Sequence, residues 1–95
     1  MENKLNKIAK FPLGQVVITR TAAAAIDPLD VQRALRRHQS SDWGNVCPED
    51  WTANDESLTE GARLLSSYVG TNGVKFWIIS EAGRTTTTVM LPEEY

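Results

Sequence analysis

The sequence predicts an α+β fold: a four-stranded, mostly antiparallel sheet in β-α-α-β-β-β order, ending in a three-strand meander, with the helices packed on one face. Three observations lead there. Residues 61–92 hold three runs of strand composition, separated by Gly70-Thr71-Asn72-Gly73 and by Ala82-Gly83. Gln15 to Thr19 (QVVIT) follows the break Phe11-Pro12-Leu13-Gly14 and supplies a fourth strand. Asp27-Pro28 is a helix start, because aspartate accepts from free helix N–H groups and proline at the first helical position gives up no needed donor.

Taken in order, Met1 to Lys10 reads as a mobile lead-in to a single domain spanning residues 1–95. After QVVIT, Thr21 to Ile26 (TAAAAI) predicts one or two helical turns, since alanine enters a helix at least cost. The main helix runs from Pro28 to about His38, with Val31, Ala34, Leu35 and His38 along its inner side. Gln39 to Asn45 is a turn-rich loop whose Trp43 either plugs the core or meets a partner. Pro48-Glu49-Asp50-Trp51 opens a short helix with Trp51 and Leu58 facing inward. Ser57-Leu58-Thr59-Glu60 matches a capping box, but Gly61 stops any long helix from following, so Glu60-Gly61 reads instead as the hinge into the meander.

Within the meander, a two-residue loop at Ala82-Gly83 sets Glu81 opposite Arg84, Ile79 opposite Thr86, Trp77 opposite Thr88 and Phe76 opposite Val89. Alternation then gathers Val74, Phe76, Ile78, Thr87, Val89 and Leu91 on one apolar face. The other face carries Lys75, Trp77, Ile79, Glu81, Arg84, Thr86, Thr88 and Met90, and a four-residue turn at Gly70 to Gly73 adds Tyr68 and Leu64 to it. Of the threonine tetrad 85–88, two members point inward and two form a polar ladder.

Charge separates along the chain. Seven basic residues face three acids up to His38, and three face nine after it, so halves of +4 and −6 make up the net −2. Such a balance argues against nucleic acid, which rewards clustered Lys and Arg. No apolar run reaches a membrane span and the N-terminal stretch lacks the apolar centre of a signal peptide, so the expectation is a cytoplasmic protein without membrane contact. The lone Cys47, beside Glu49 and Asp50, reads as a structural or incidental thiol.

Sites for chemistry are sparse in the sequence. It shows no phosphate-binding glycine motif, no paired His or Cys spacing for zinc and no nucleophile elbow, and no cofactor is expected. His38, the one histidine, reads as packed or helix-capping. Glu49, Asp50, Asp55, Glu56 and Glu60 lack the alternating ligands of a calcium loop and read as a solvated acidic face. Arg33, Arg36 and Arg37 are a candidate electrostatic patch, read first as a solvated face that suits the helix dipole.

LGQVVITRTAAAAI, the Asp42-Trp43-Gly44 loop, the segment from Asn54-Asp55 to Gly61, RLLSSY, WIISEAGRTTTTVMLP and Pro92-Glu93-Glu94-Tyr95 together resemble a family of small uncharacterised bacterial proteins. Its members occur in chromosomes, plasmids and mobile elements. Some carry the label of a restriction-modification subunit, which a chain without a cofactor-binding glycine motif does not suit. The resemblance implies accessory cargo of a mobile element.

These observations favour a non-enzymatic interaction protein that binds another protein, with anti-restriction or anti-CRISPR inhibition as one concrete version. The candidate interaction face is Tyr68, Lys75, Trp77, Glu81 and Arg84, and the candidate loop contact is Asp42 with Trp43. Self-association through the same face or through an unpaired edge strand is equally allowed. An RNA-acting alternative rests on an element order that resembles ribonuclease toxins of the RelE type, with Tyr68 and Trp77 beside Lys75 as a stacking platform. A small-molecule-binding domain with Trp43, Trp51 or Trp77 in its pocket is the third reading.

Overall fold

The computed structural model describes residues 9–95, so the predicted lead-in lies outside the described residues except for Ala9 and Lys10. Lys10 is already anchored, its N–H donating to the Gln39 carbonyl at 2.8 Å. Within this range the strands are β1 (Gln15–Ile18), β2 (Leu64–Val69), β3 (Lys75–Ser80) and β4 (Thr86–Met90), and the helices are α1 (Arg20–Ala25), α2 (Pro28–Gln39) and α3 (Pro48–Glu60). The predicted α+β order holds. Thr19 Oγ1 accepts from the Ala22 N–H at 3.1 Å to start α1, and Asp27 Oδ1 accepts from the Leu29 N–H at 2.8 Å to start α2. In α3 the expectation of a short helix is corrected. No glycine or proline interrupts the chain after Pro48 until Gly61 closes the helix at φ 78°, so Ser57 to Glu60 form its last turn and do not cap a new one.

The sheet order is β1-β4-β3-β2, with β1 parallel to β4 and the other pairs antiparallel. Both predicted turns are too short, with unequal consequences. The β3–β4 connection contains a 3-10 turn at Ala82–Arg84, where Gly83 and Arg84 both have positive φ, and the Glu81 N–H reaches the Thr86 carbonyl at 3.0 Å. Trp77 therefore pairs with Met90 and Ile79 with Thr88, two residues from the predicted register. A shift of two preserves both faces.

At the β2–β3 turn the difference is one residue. Val69 pairs with Lys75 and Tyr68 with Phe76, because residues 70–74 all belong to the turn. Helix contacts hold this longer turn: the Thr71 N–H and hydroxyl both donate to Asp30 Oδ2 at 2.8 Å, and Asn72 Nδ2 donates to the Ala25 carbonyl at 2.9 Å. The Thr71 bonds, backbone first, hold the Asp30 carboxyl below the usual carboxylate range. A one-residue slip exchanges faces, so Tyr68 and Leu64 turn toward the helices, contrary to the expectation.

All three helices lie on the face of Leu64, Tyr68, Phe76, Ile78, Thr87 and Val89. One buried cluster joins Ala22, Ile26, Val31 and Ala34 to Tyr68, Phe76, Ile78, Val89 and Leu91. A second gathers Phe11, Trp43 and Leu64, with Trp51 and Leu58 of α3 packed against it. Burying each large side chain in these clusters contributes about 1.5–3 kcal/mol. Of the threonine tetrad only Thr87 is buried.

The outer edge of β2 is closed without a fifth strand. Asn54 of α3 accepts from the Leu65 N–H at 3.2 Å and donates to the Leu65 carbonyl at 2.8 Å, standing in for a peptide unit. One step along, the Ser67 N–H donates to the Trp43 carbonyl at 3.1 Å and its carbonyl accepts from Asn45 at 2.7 Å. Asn54→Ala should cost about 2 kcal/mol, the sum of two modest hydrogen bonds, measured as a lower urea midpoint at constant m-value. Asn54→Asp should cost at least as much, because a carboxylate oxygen would then face the Leu65 carbonyl.

Candidate functional site

Among the described residues, the helices leave the opposite face of the sheet without a covering layer. It presents Val17 from β1, Thr88 and Met90 from β4, Lys75, Trp77 and Ile79 from β3, and Leu65 and Val69 from β2. Trp77, Leu65 and Met90 are half-buried, while Val17 and Val69 are 40% and 50% exposed. Ile79 is buried. After β4 the chain turns through Pro92–Glu94 and brings Tyr95 back to this face, where its ring meets Trp77 edge-on at 5.6 Å between centroids. Arg63 stacks over the Tyr95 ring at 4.9 Å and donates to its hydroxyl. Glu81 stands 3.8 Å from Arg63.

The C-terminal turn is fastened at its other end too. Glu94 accepts from the Leu91 N–H and from the Thr19 hydroxyl, both at 2.8 Å, and these bonds hold its carboxyl below the usual range. Lys75 is exposed and makes no ion pair among the described residues.

Lys75, Trp77 and Glu81 thus share this face, whereas two residues of the predicted set leave it. Tyr68 is 2% exposed on the helix side, donates its hydroxyl to the Asp42 carbonyl at 2.6 Å and has its pKa raised by burial. The stacking platform of Tyr68 with Trp77 is not formed, since the sheet separates the two rings. Arg84, at φ 59°, turns toward the end of α3, donates to the Ala62 and Ser57 carbonyls and stacks on Phe11 at 5.4 Å. It caps a helix C-terminus.

The arginine patch is similarly divided. Arg33 lies 4.0 Å from Asp30, and Arg37 Nε donates to Asp42 at 2.8 Å with its guanidinium 4.8 Å over the Tyr68 ring. Arg36 is exposed and makes no ion pair among the described residues. In the loop, Trp43 is fully enclosed, its indole N–H donating to Asp55 at 2.9 Å, and Asp42 is occupied by Arg37 and by the Gly44 N–H at 3.2 Å. Neither is presented as a loop contact. Trp51, by contrast, borders an open hollow of about 480 Å³ with Gly44, Val46, Pro48 and Thr52.

His38 is also withdrawn from solvent. Its Nδ1 meets Ser66 Oγ at 2.5 Å, its Nε2 meets Ser80 Oγ at 2.9 Å, and Ser80 meets Thr87 Oγ1 at 2.7 Å. The Thr87 hydroxyl donates to the Leu13 carbonyl at 2.7 Å, and this orders the whole chain. A carbonyl only accepts, so Thr87 spends its proton there and must accept from Ser80, which must accept from Nε2–H. Nε2 therefore carries a hydrogen, and in the neutral ring Nδ1 accepts from Ser66. Burial lowers its pKa from 6.5 to about 3, with Arg84 adding to the effect.

The features that composition did not announce are Arg63, Leu65 and Tyr95 as members of the helix-free face. Their placement depends on the β2–β3 slip and on the C-terminal turn, neither of which leaves a periodic signal. Among the described residues no helix is long and apolar enough to cross a membrane, and no three His, Cys, Asp or Glu side chains are grouped to hold a metal ion. No family model matches the chain, and neither a curated protein nor a solved structure matches it.

Proposed function

We propose that the chain is a non-enzymatic interaction protein that binds another protein through the helix-free face of its sheet. The observation that carries this is the one-sided packing of the helices, which leaves Trp77, Leu65, Met90 and Val17 as an apolar surface across the sheet, with the cation Lys75 beside Trp77. A partner suited to it offers an apolar surface to Trp77 and an acidic group to Lys75. The enclosed, neutral His38 supports the non-enzymatic part, because the chain's one imidazole is spent on core hydroxyls. The mobile-element setting implied by family resemblance makes a restriction or CRISPR component of the host the first partner to test.

Trp77→Ser and Lys75→Glu should each abolish cross-linking to the partner in a bacterial lysate, with unchanged circular dichroism, while Arg36→Ser leaves it intact. A partner set that Trp77→Ser does not alter would sink the assignment to this face. The inhibitor version predicts higher phage plating efficiency on restricting or CRISPR-armed cells that express the chain, lost in the same two variants.

A further inference from the structure

The two edges of the sheet are finished differently. That of β2 is closed by Asn54, Trp43 and Asn45, as described above. On β1, the Gln15 N–H donates to the Thr85 carbonyl and the Thr19 N–H to the Val89 carbonyl, each at 3.0 Å, so alternation turns the main-chain groups of Val16 and Ile18 outward. Neither has a hydrogen-bond partner among the described residues. Val16, Val17 and Ile18 are 45%, 40% and 38% exposed, and the strand Gln15–Ile18 holds no lysine, proline or other charge of the kind that blunts an edge.

We propose that this edge pairs antiparallel with β1 of a second copy of the chain, about a two-fold axis through Val17, to make one continuous eight-stranded sheet. The register argues for a copy of the same strand over an unrelated segment. With Val17 opposite Val17, each Val16 faces an Ile18, and the two Val16–Ile18 pairs exchange four main-chain hydrogen bonds. On the helix side Val16 comes to rest beside Ile18 and the apolar hollow that Ile18 lines with Ala23, Ile26 and Val31. On the helix-free side Val17 meets Val17, flanked by Gln15 against Thr19. Arg20 falls opposite Gly14, so no like charges meet. A two-residue shift in one direction sets Val16 against Arg20, and in the other leaves Ile18 against Gly14, so this register alone matches apolar with apolar and polar with polar.

The contact is one short strand long and is therefore weak, with a dissociation constant on the order of 100 μM. It does not depend on what binds the helix-free face, which it would extend across the axis through Val17. Sedimentation equilibrium of the full chain from ~5 μM to ~1 mM tests it. The expected result is a monomer–dimer equilibrium that Val17→Lys and Val17→Glu each weaken at least tenfold, because a residue on the axis meets its own charge. Mixing the two variants should restore the dimer. In a Cys47→Ser background, Val17→Cys should form an intermolecular disulfide under mild oxidation, whereas Lys75→Cys should not. A wild-type chain that stays monomeric at ~1 mM overturns the proposal, leaving the edge to an extended segment of another protein. So does a dimer that survives both charge variants, or a mixture that fails to reassociate although both variants show native circular dichroism.

Discussion

Gly44→Ala is expected to destabilise the protein by about 3 kcal/mol or more, lowering the melting temperature by on the order of 15 °C. Two independent causes act at that position. Gly44 has φ +75°, which costs an L-residue about 1–2 kcal/mol. It also lies against β2 in an isolated parallel bridge to Ser67, where an added Cβ would meet the Ser67 carbonyl oxygen and, at 2.8 Å, the buried Tyr68 ring. Relief requires the loop to lift, and the loop also carries the enclosed Trp43 and the Asn45 bond that closes β2. Gly61→Ala is the control: its φ is +78° but no atom lies within 4 Å of the added carbon, so only the conformational cost of about 1–2 kcal/mol remains. Equal losses at the two positions, measured by thermal and urea unfolding, would show that the bridge yields freely and that backbone conformation alone matters.

Acidification should produce the second large effect. His38 holds its proton with a pKa of about 3 in the folded protein against 6.5 when unfolded, so between these values the unfolded chain binds the extra proton. The resulting stability is complete above pH 6.5 and is lost as the pH falls toward 3, at about 1 kcal/mol per pH unit and several kcal/mol in all. Asp30 and Glu94, whose carboxyls are held below their usual range, weaken the fold in the same direction but only in more acid solution. The interval from pH 6.5 to 5 therefore isolates the histidine. Urea midpoints should fall across it in the wild type and stay nearly level in His38→Gln, which should be less stable at pH 7 because the hydroxyl chain loses its ring. A wild-type midpoint independent of pH in that interval would mean that the imidazole can be protonated without leaving its pocket.

Much of the architecture was legible from local rules. The Asp27-Pro28 start of α2, the glycine stop of α3, the strand character of QVVIT and of the meander, and the apolar set Phe76, Ile78, Val89 and Leu91 all follow from capping, breakers and alternation. The error of two residues at the β3–β4 turn did no harm to the faces, because strand periodicity is two. The error of one at the β2–β3 turn moved Tyr68 from the candidate surface into the core. What lengthened that turn were the bonds from Thr71 and Asn72 to Asp30 and Ala25, more than forty residues away in sequence.

Composition and alternation alone determined that this chain builds a sheet with one largely apolar face and a helix starting at Pro28 to cover it, since both depend on neighbours a few residues apart. Which side Tyr68 occupies, that Arg84 caps α3, that His38 is locked between Ser66 and Ser80, and that the β2 edge is closed were decided only in three dimensions. Each of those rests on a hydrogen bond between groups distant in sequence, and such bonds leave no trace in the local pattern of residues.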